Sequence, residues 1–153
     1  MSLVQDVENF RNYFHSKEKR RQTFTSWVFE DDVECNADAL AEAGFIYVGT
    51  KDEPDSTQCF VCKKTLDGWE AEDNPWSEHL KHQKDCPFAA LQKSQSKLTV
   101  QEYIEAETEC LKKVINSARE QDLKDHQKWY KILVSQEKYA MQNMLTERSS
   151  KII

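Results

Sequence analysis

Four residues constrain the fold of this chain more than any others: Cys59 and Cys62, with two residues between them, then His79, then Cys86. A C-x-x-C pair aims two sulfurs at one ion, and a histidine on a following helix with a late cysteine completes a tetrahedron. Cys3His is a closed structural zinc set with no position left for water, so it is expected to hold a fold together and not to hydrolyse anything. His82, three residues beyond His79 on the same helix face, is an alternative ligand, although its short spacing to Cys86 leaves the chain less room to turn. Cys35 and Cys110 fit no ligand spacing and are expected to be partly buried thiols. Five cysteines is an odd number, and thiolate ligation suits a reducing compartment better than a disulfide framework does.

The need for such a staple follows from size. A module of about 70 residues buries too little apolar surface to offset its chain entropy, and metal binding substitutes for core. All three glycines and all three prolines lie between Gly44 and Pro87, and the 66 residues after Pro87 contain neither. A turn-rich module followed by a long helix is the expected organisation. Within the module, Asn36 caps a helix that Gly44 ends, Phe45 to Val48 reads as a strand, and Gln58 to Cys62 and Thr65 to Trp69 read as two more around a turn at Lys63-Lys64. Asn74-Pro75 opens a further helix running to about Lys84.

Charge narrows the partners. The net charge of -6 is concentrated in residues 31 to 97, which hold fourteen acidic and seven basic side chains. Counterion release on nucleic acid requires the opposite sign, so direct DNA or RNA binding is not expected and a cationic partner is. Between Asp67 and Leu80 stand Asp67, Glu70, Glu72, Asp73 and Glu78 with no Lys or Arg, interleaved by Trp69 and Trp76. Five carboxylates over a loop and a helix start also suit a plain solvated face, and Trp69 also suits the core. No apolar run approaches the roughly 18 residues of a membrane span, and Met1 to Phe10 lacks a secretory pattern. The chain shows no glycine-rich phosphate loop and no recognisable nucleophile setting, so it is not read as an enzyme.

Thr99-Val-Gln-Glu102 is a capping-box pattern, followed at helical spacing by Val100, Tyr103/Ile104, Leu111, Val114/Ile115 and Ala118. The stripe weakens from Arg119 to Lys128 and resumes with Trp129, Ile132/Leu133, Tyr139/Ala140 and Met144. A continuous helix from Leu98 to Thr146 would be about 75 Å long, more than the module could cover, so its apolar face is expected to meet a partner. A self-associating coiled coil, or a helix that frays in its polar middle, is the alternative.

Taken in order, Arg21-Gln-Thr-Phe-Thr-Ser-Trp27, Ala41-Glu-Ala-Gly-Phe45, Cys59-x-x-Cys62, Gly68-Trp69, Asp73-Asn-Pro75, Glu78-His79 and Cys86-Pro-Phe88 resemble the baculoviral IAP repeat (BIR) family. The resemblance covers residues 17 to 91. Glu53-Pro-Asp55, Leu66-Asp-Gly-Trp69, His82 and one repeat followed by a glycine-free helix are similar to its survivin-like, single-repeat branch. The resemblance implies an α+β fold: residues 1–16 as an amino-terminal segment, residues 17–91 as a zinc-stapled domain with a three-stranded antiparallel sheet and short helices, and residues 98–148 as one long partner-binding helix. It implies a groove in which Leu66 and Trp69 form an apolar wall, Asp67, Asp73 and Glu78 hold a peptide's amino terminus, and Lys64 and His82 take the phosphate of a histone tail phosphorylated near its start. Thr65 departs from the branch, which tends to carry an acid there.

The resemblance further implies that the long helix joins two helical passenger subunits, borealin-like and inner centromere protein-like. That assembly would place an Aurora-type kinase on centromeres and then at the spindle midzone, with Leu111, Val114, Ala118 and Ile132 among the contacts. A homodimer through Leu98, Val100 and Tyr103, packed against the segment near Phe10 and Phe14, is also implied. An inhibitor of apoptosis binding caspases or alanine-first antagonist peptides is the alternative function. One metal set leaves no ligands for a RING-type ubiquitin ligase, and no Ser-Pro or Thr-Pro pair is present for a proline-directed kinase.

Overall fold

Hydrophobic positions at Val7, Phe10 and Phe14 recur at helical spacing and put one face of the first helix into the core. A computed structural model describes residues 3–150, with side chains for 4–143. Its elements are α1 (Leu3–Phe14), α2 (Lys17–Arg21), α3 (Ala37–Glu42), β1 (Phe45–Tyr47), β2 (Thr57–Cys59), β3 (Thr65–Leu66), α4 (Pro75–His82), two short 3-10 turns (Ala89–Leu91 and Gln95–Lys97) and α5 (Val100–Ser150). The three strands form an antiparallel sheet in the order β1-β2-β3, with Phe45 opposite Cys59 and Thr57 opposite Leu66. The chain is therefore α+β: a three-stranded antiparallel sheet with short helices, and a long carboxyl-terminal helix.

Local chemistry sets most boundaries. Asn36 accepts a hydrogen bond from the Ala39 amide (2.8 Å) at the start of α3, and Gly44 leaves that helix at φ +89°, where a Cβ would also lie 2.6 Å from the Phe88 ring. Asn74 caps α4 through the Ser77 amide (3.1 Å), with Pro75 at the first helical position. Thr99 and Glu102 form the reciprocal capping box: the Thr99 amide donates to Glu102 Oε2 (2.8 Å) and the Glu102 amide to Thr99 Oγ1 (3.3 Å).

The largest departures from the expected boundaries each have a physical reason. The strand predicted over Gln58 to Cys62 is Thr57–Cys59, because the cysteines converge only if the chain turns after Cys59. The Lys63 amide donates to the Cys59 carbonyl (3.0 Å), and Lys63 takes a left-handed φ of +60°. The strand predicted to Trp69 stops at Leu66, and the left-handed Gly68 at φ +69° redirects the chain. α4 ends at His82 and not near Lys84, since Gln83 leaves helical geometry in the turn that brings Cys86 back.

The chain divides into two compact units, residues 1–117 and 118–153. In the first, the core holds Phe10, Phe14, Phe45, Phe60, Phe88, Leu40, Val61, Cys35, Cys110 and Val114. Phe60 and Phe88 meet edge to face at 5.0 Å, and Arg20, fully buried, lies 5.3 Å from the centre of each ring. Its guanidinium donates to the carbonyls of Ala41 (2.6 Å) and Tyr13 and to Gln95 Oε1 (3.2 Å). Burial lowers the Arg20 pKa to about 10, yet every nitrogen named has an acceptor, which is what makes a buried guanidinium tolerable.

The segment before residue 17, set apart in the sequence reading, is part of this unit. Phe14 lies 5.3 Å from Tyr103, Tyr103 Oη is 2.7 Å from His15 Nδ1, and His15 Nε2 is 3.2 Å from Glu107. Tyr103, expected with Leu98 and Val100 at a homodimer contact, thus packs against Phe14 of its own chain. Val114, 2% exposed, and Leu111 likewise pack on this core together with Ala106 and Cys110. A helical stripe reads the same whether the surface covering it belongs to its own chain or another. Cys35 and Cys110 are completely buried and not partly so.

In the second unit, Leu123, Trp129, Tyr130, Leu133, Tyr139 and Met141 are all more than half exposed, and Ile132 is 39% exposed. Met144, the last member of the predicted stripe, lies outside the described side chains. No helix among the described residues is long and apolar enough to cross a membrane.

Candidate metal centre and peptide groove

β2, the turn after it, α4 and the segment beyond it bring Cys59, Cys62, His79 and Cys86 together, with their donor atoms all within 4.8 Å of one another. Cys59 Sγ is 3.9 Å from Cys86 Sγ, and Cys62 Sγ is 3.5 Å from His79 Nε2. A tetrahedral centre with zinc-like bond lengths has sulfur–sulfur edges of about 3.8 Å and sulfur–nitrogen edges of about 3.6 Å, so the donor set fits a structural metal ion. His79 Nδ1 is 3.0 Å from the Ala43 carbonyl. A proton on Nδ1 is therefore used in that bond, and Nε2 presents its lone pair to the sulfurs, the usual outer-shell arrangement for a ligating histidine. The Val61 amide donates to Cys59 Sγ (3.3 Å), supporting negative charge there.

The alternative ligand His82 is excluded by placement. Its side chain is 45% exposed and lies 3.3 Å from Glu78 Oε2, away from the sulfurs. Taken as four protein groups alone, the cluster redistributes its protons. Burial pushes the Cys59 thiol far up, and the hydrogen bonds that Cys86 receives from Cys59 and Cys62 push it far down. Burial works against a charged His79, but the sulfurs of Cys62 and Cys86 outweigh it and raise the ring to about 9. A divalent cation held by these four donors would take the place of those protons.

Beside the centre, β3 is the edge strand, and a cavity of about 610 Å³ runs along it. Lys64, Leu66, Asp67, Trp69, Asp73, Glu78 and His82, the seven predicted groove residues, all line it, and Thr65, Gly68, Glu70 and Lys81 complete it. Trp69 is both core and wall. It is 7% exposed, meets Phe45 edge to face at 5.4 Å, and its indole N–H donates to Thr57 Oγ1 (3.2 Å). Its amide donates to Asp55 Oδ2 (3.0 Å), which fixes the loop after Gly68. Asp73 Oδ2 accepts from the Glu70 amide (2.8 Å). Lys81 was missed because it falls one residue past the stretch that holds no Lys or Arg; its i,i+3 relation to Glu78 was the available signal.

The other predicted interface positions are not gathered in one place. Leu98 is half-buried against Pro87, Leu91 and Ala106 in a second cavity of about 440 Å³. Val100 is 78% exposed, Ala118 is half-buried, and Ile132 lies on the exposed part of α5.

A Cys3His cluster closing a three-stranded sheet, with short helices around it and a groove along the edge strand, defines a BIR domain. The family model for BIR, the Inhibitor of Apoptosis domain, matches residues 20–90. Baculoviral IAP repeat-containing protein 5 of Rattus norvegicus is 43% identical over 99 residues, covering 65% of this chain and 70% of the relative. Baculoviral IAP repeat-containing protein 5.1 of Xenopus tropicalis is 38% identical over 112 residues, 73% of this chain and 69% of the relative. The chain belongs to this family, as a survivin-like protein with one BIR domain.

Proposed function

We propose that the protein is a non-enzymatic adaptor of a chromosomal passenger complex. Its BIR groove binds the phosphorylated amino-terminal tail of a histone, and its long helix binds two helical subunits, borealin-like and inner centromere protein-like. Through them it targets an Aurora-type kinase to centromeres in mitosis and to the midzone in cytokinesis. The ion is zinc, held by Cys59, Cys62, His79 and Cys86 in a structural role.

The observation that carries this reading is the groove. An extended peptide adding to the β3 edge gains main-chain hydrogen bonds, and the cavity beside that edge offers acidic side chains for an amine and Lys64, Lys81 and His82 for a phosphate. The exposed apolar side chains of residues 123–141 support the helical partners, since a run of large apolar groups in water marks an interaction surface.

Calorimetric titration of a phosphorylated histone-tail peptide tests the groove. Acetylating its amino terminus is expected to weaken binding at least about tenfold, the scale of a hydrogen bond to a charged group; equal affinity removes amine capture. Depletion separates this function from inhibition of apoptosis: chromosome missegregation with binucleate cells supports the adaptor, and caspase-dependent death without division defects supports the inhibitor.

A further inference from the structure

Three side chains of the groove, Glu78, Lys81 and His82, are already paired with one another. Lys81 Nζ lies 3.1 Å from Glu78 Oε1 and 3.0 Å from Oε2, and His82 Nε2 lies 3.3 Å from Oε2, all within one turn of α4. Glu78 is the recessed member, 22% exposed against 67% for Lys81 and 45% for His82. The remaining carboxylates of the cavity are Asp67, Glu70 and Asp73, and its remaining cation is Lys64.

This pairing makes single charges poor ligands. An amine that takes Glu78 must displace Lys81 and His82 and leave them without their carboxylate. A phosphate that draws Lys81 and His82 away leaves Glu78 without its two partners. A ligand end carrying both charges exchanges partners and leaves neither side uncompensated, so repulsive and unpaired states penalise only the singly charged competitors.

Resting on the peptide-groove reading above, we infer that Lys81 is a specificity-determining residue. By holding Glu78 in reserve, it makes the groove cooperative for a peptide end that bears a free amine and a phosphate together. Each charge raises the affinity gained from the other, and Lys81 is the hinge of the exchange.

The test uses the full-length protein and four forms of one synthetic peptide that begins with alanine: amino terminus free or acetylated, threonine phosphorylated or not. The phosphothreonine is placed at residue two, three or four, and the tightest register is carried through. Phosphorylation is expected to strengthen the free-amine peptide at least about fivefold more than the acetylated one, the scale of two exposed ion pairs exchanged together. In Lys81→Met, whose side chain is largely in solvent, that excess is expected to fall below about twofold. The unphosphorylated free-amine peptide is expected to bind this variant more tightly than the parent. Independent contributions of amine and phosphate in the parent protein overturn the inference alone, as does an excess unchanged in Lys81→Met. Failure of all four peptides to bind overturns the groove reading and this inference with it.

Discussion

One helix has two fates in this protein. In residues 100–117, Tyr103, Ala106, Cys110, Leu111 and Val114 lie against a core built by their own chain, whereas in residues 118–143 Leu123, Trp129, Tyr130 and Tyr139 stand between 59% and 69% exposed. Both halves carry apolar groups at helical spacing. Burial is decided by what covers a stripe, and in the first unit that cover is α1 and the aromatic cluster around Phe60 and Phe88. The first unit also has the Cys3His cluster as a fixed point, while the described part of the second offers only its own hydrogen-bonded helix and a few surface pairs. One unit is held by closure and the other leaves its apolar groups exposed.

The sharpest break of that contrast is metal removal. Stripping the ion with a strong chelator, or replacing Cys62 by Ser, is expected to abolish cooperative thermal unfolding of the first unit, because metal-binding energy of order 10 kcal/mol exceeds a small domain's whole stability. Differential scanning calorimetry with metal analysis checks this; an unchanged melt in metal-free protein refutes it. Acidification acts in the same direction, since protons compete for the thiolates and the His79 nitrogen, so metal affinity falls as pH falls.

A pair of truncations sharpens the contrast next. Phe14→Ala removes a completely buried ring and is expected to cost about 3–5 kcal/mol, whereas Trp129→Ala, at a residue 65% exposed, is expected to stay within about 0.5 kcal/mol for the isolated chain. Urea melts of the two variants read this directly, and comparable losses would refute the division into a covered and an uncovered stripe.

Smaller effects sit at the start of α5. Thr99→Ala should cost about 1 kcal/mol through loss of the cap. Glu102 is held at about 2, first by Lys93 and then by the Thr99 amide and hydroxyl. Its folded value lies below its ordinary one of 4.5, so its contribution is complete above about pH 4.5 and disappears as pH falls toward 2. The Glu102→Gln variant should therefore show a shallower acid-side stability slope than the parent in that window, measured as the difference between their urea midpoints; parallel curves would remove the role assigned to the carboxylate.

Much of the site was legible beforehand because its chemistry is local in sequence. The C-x-x-C spacing, the Asn-Pro helix start and the Thr99/Glu102 box act within a few residues, and the distances found agree with them. The seven groove positions converge because they flank one edge strand and one short helix. Strand lengths were overestimated where apolar β-formers, Phe60 and Val61, serve a turn that the metal ligands require. Lys81 and the role of residues 3–14 escaped, the first because a charge gains meaning only from its partner Glu78, the second because Phe10 and Phe14 name no partner in advance.

Sequence alone therefore determined the three cysteine donors, the helix caps and the charge of the groove face, since each depends on residue type and on spacing short enough for the backbone to dictate. Tertiary structure alone decided that His79 and not His82 faces the sulfurs, that Arg20 is buried against two phenylalanine rings, and that the first turns of α5 are covered by their own chain. Those outcomes depend on which surfaces meet after long loops close, and periodicity carries no record of the surface on the other side.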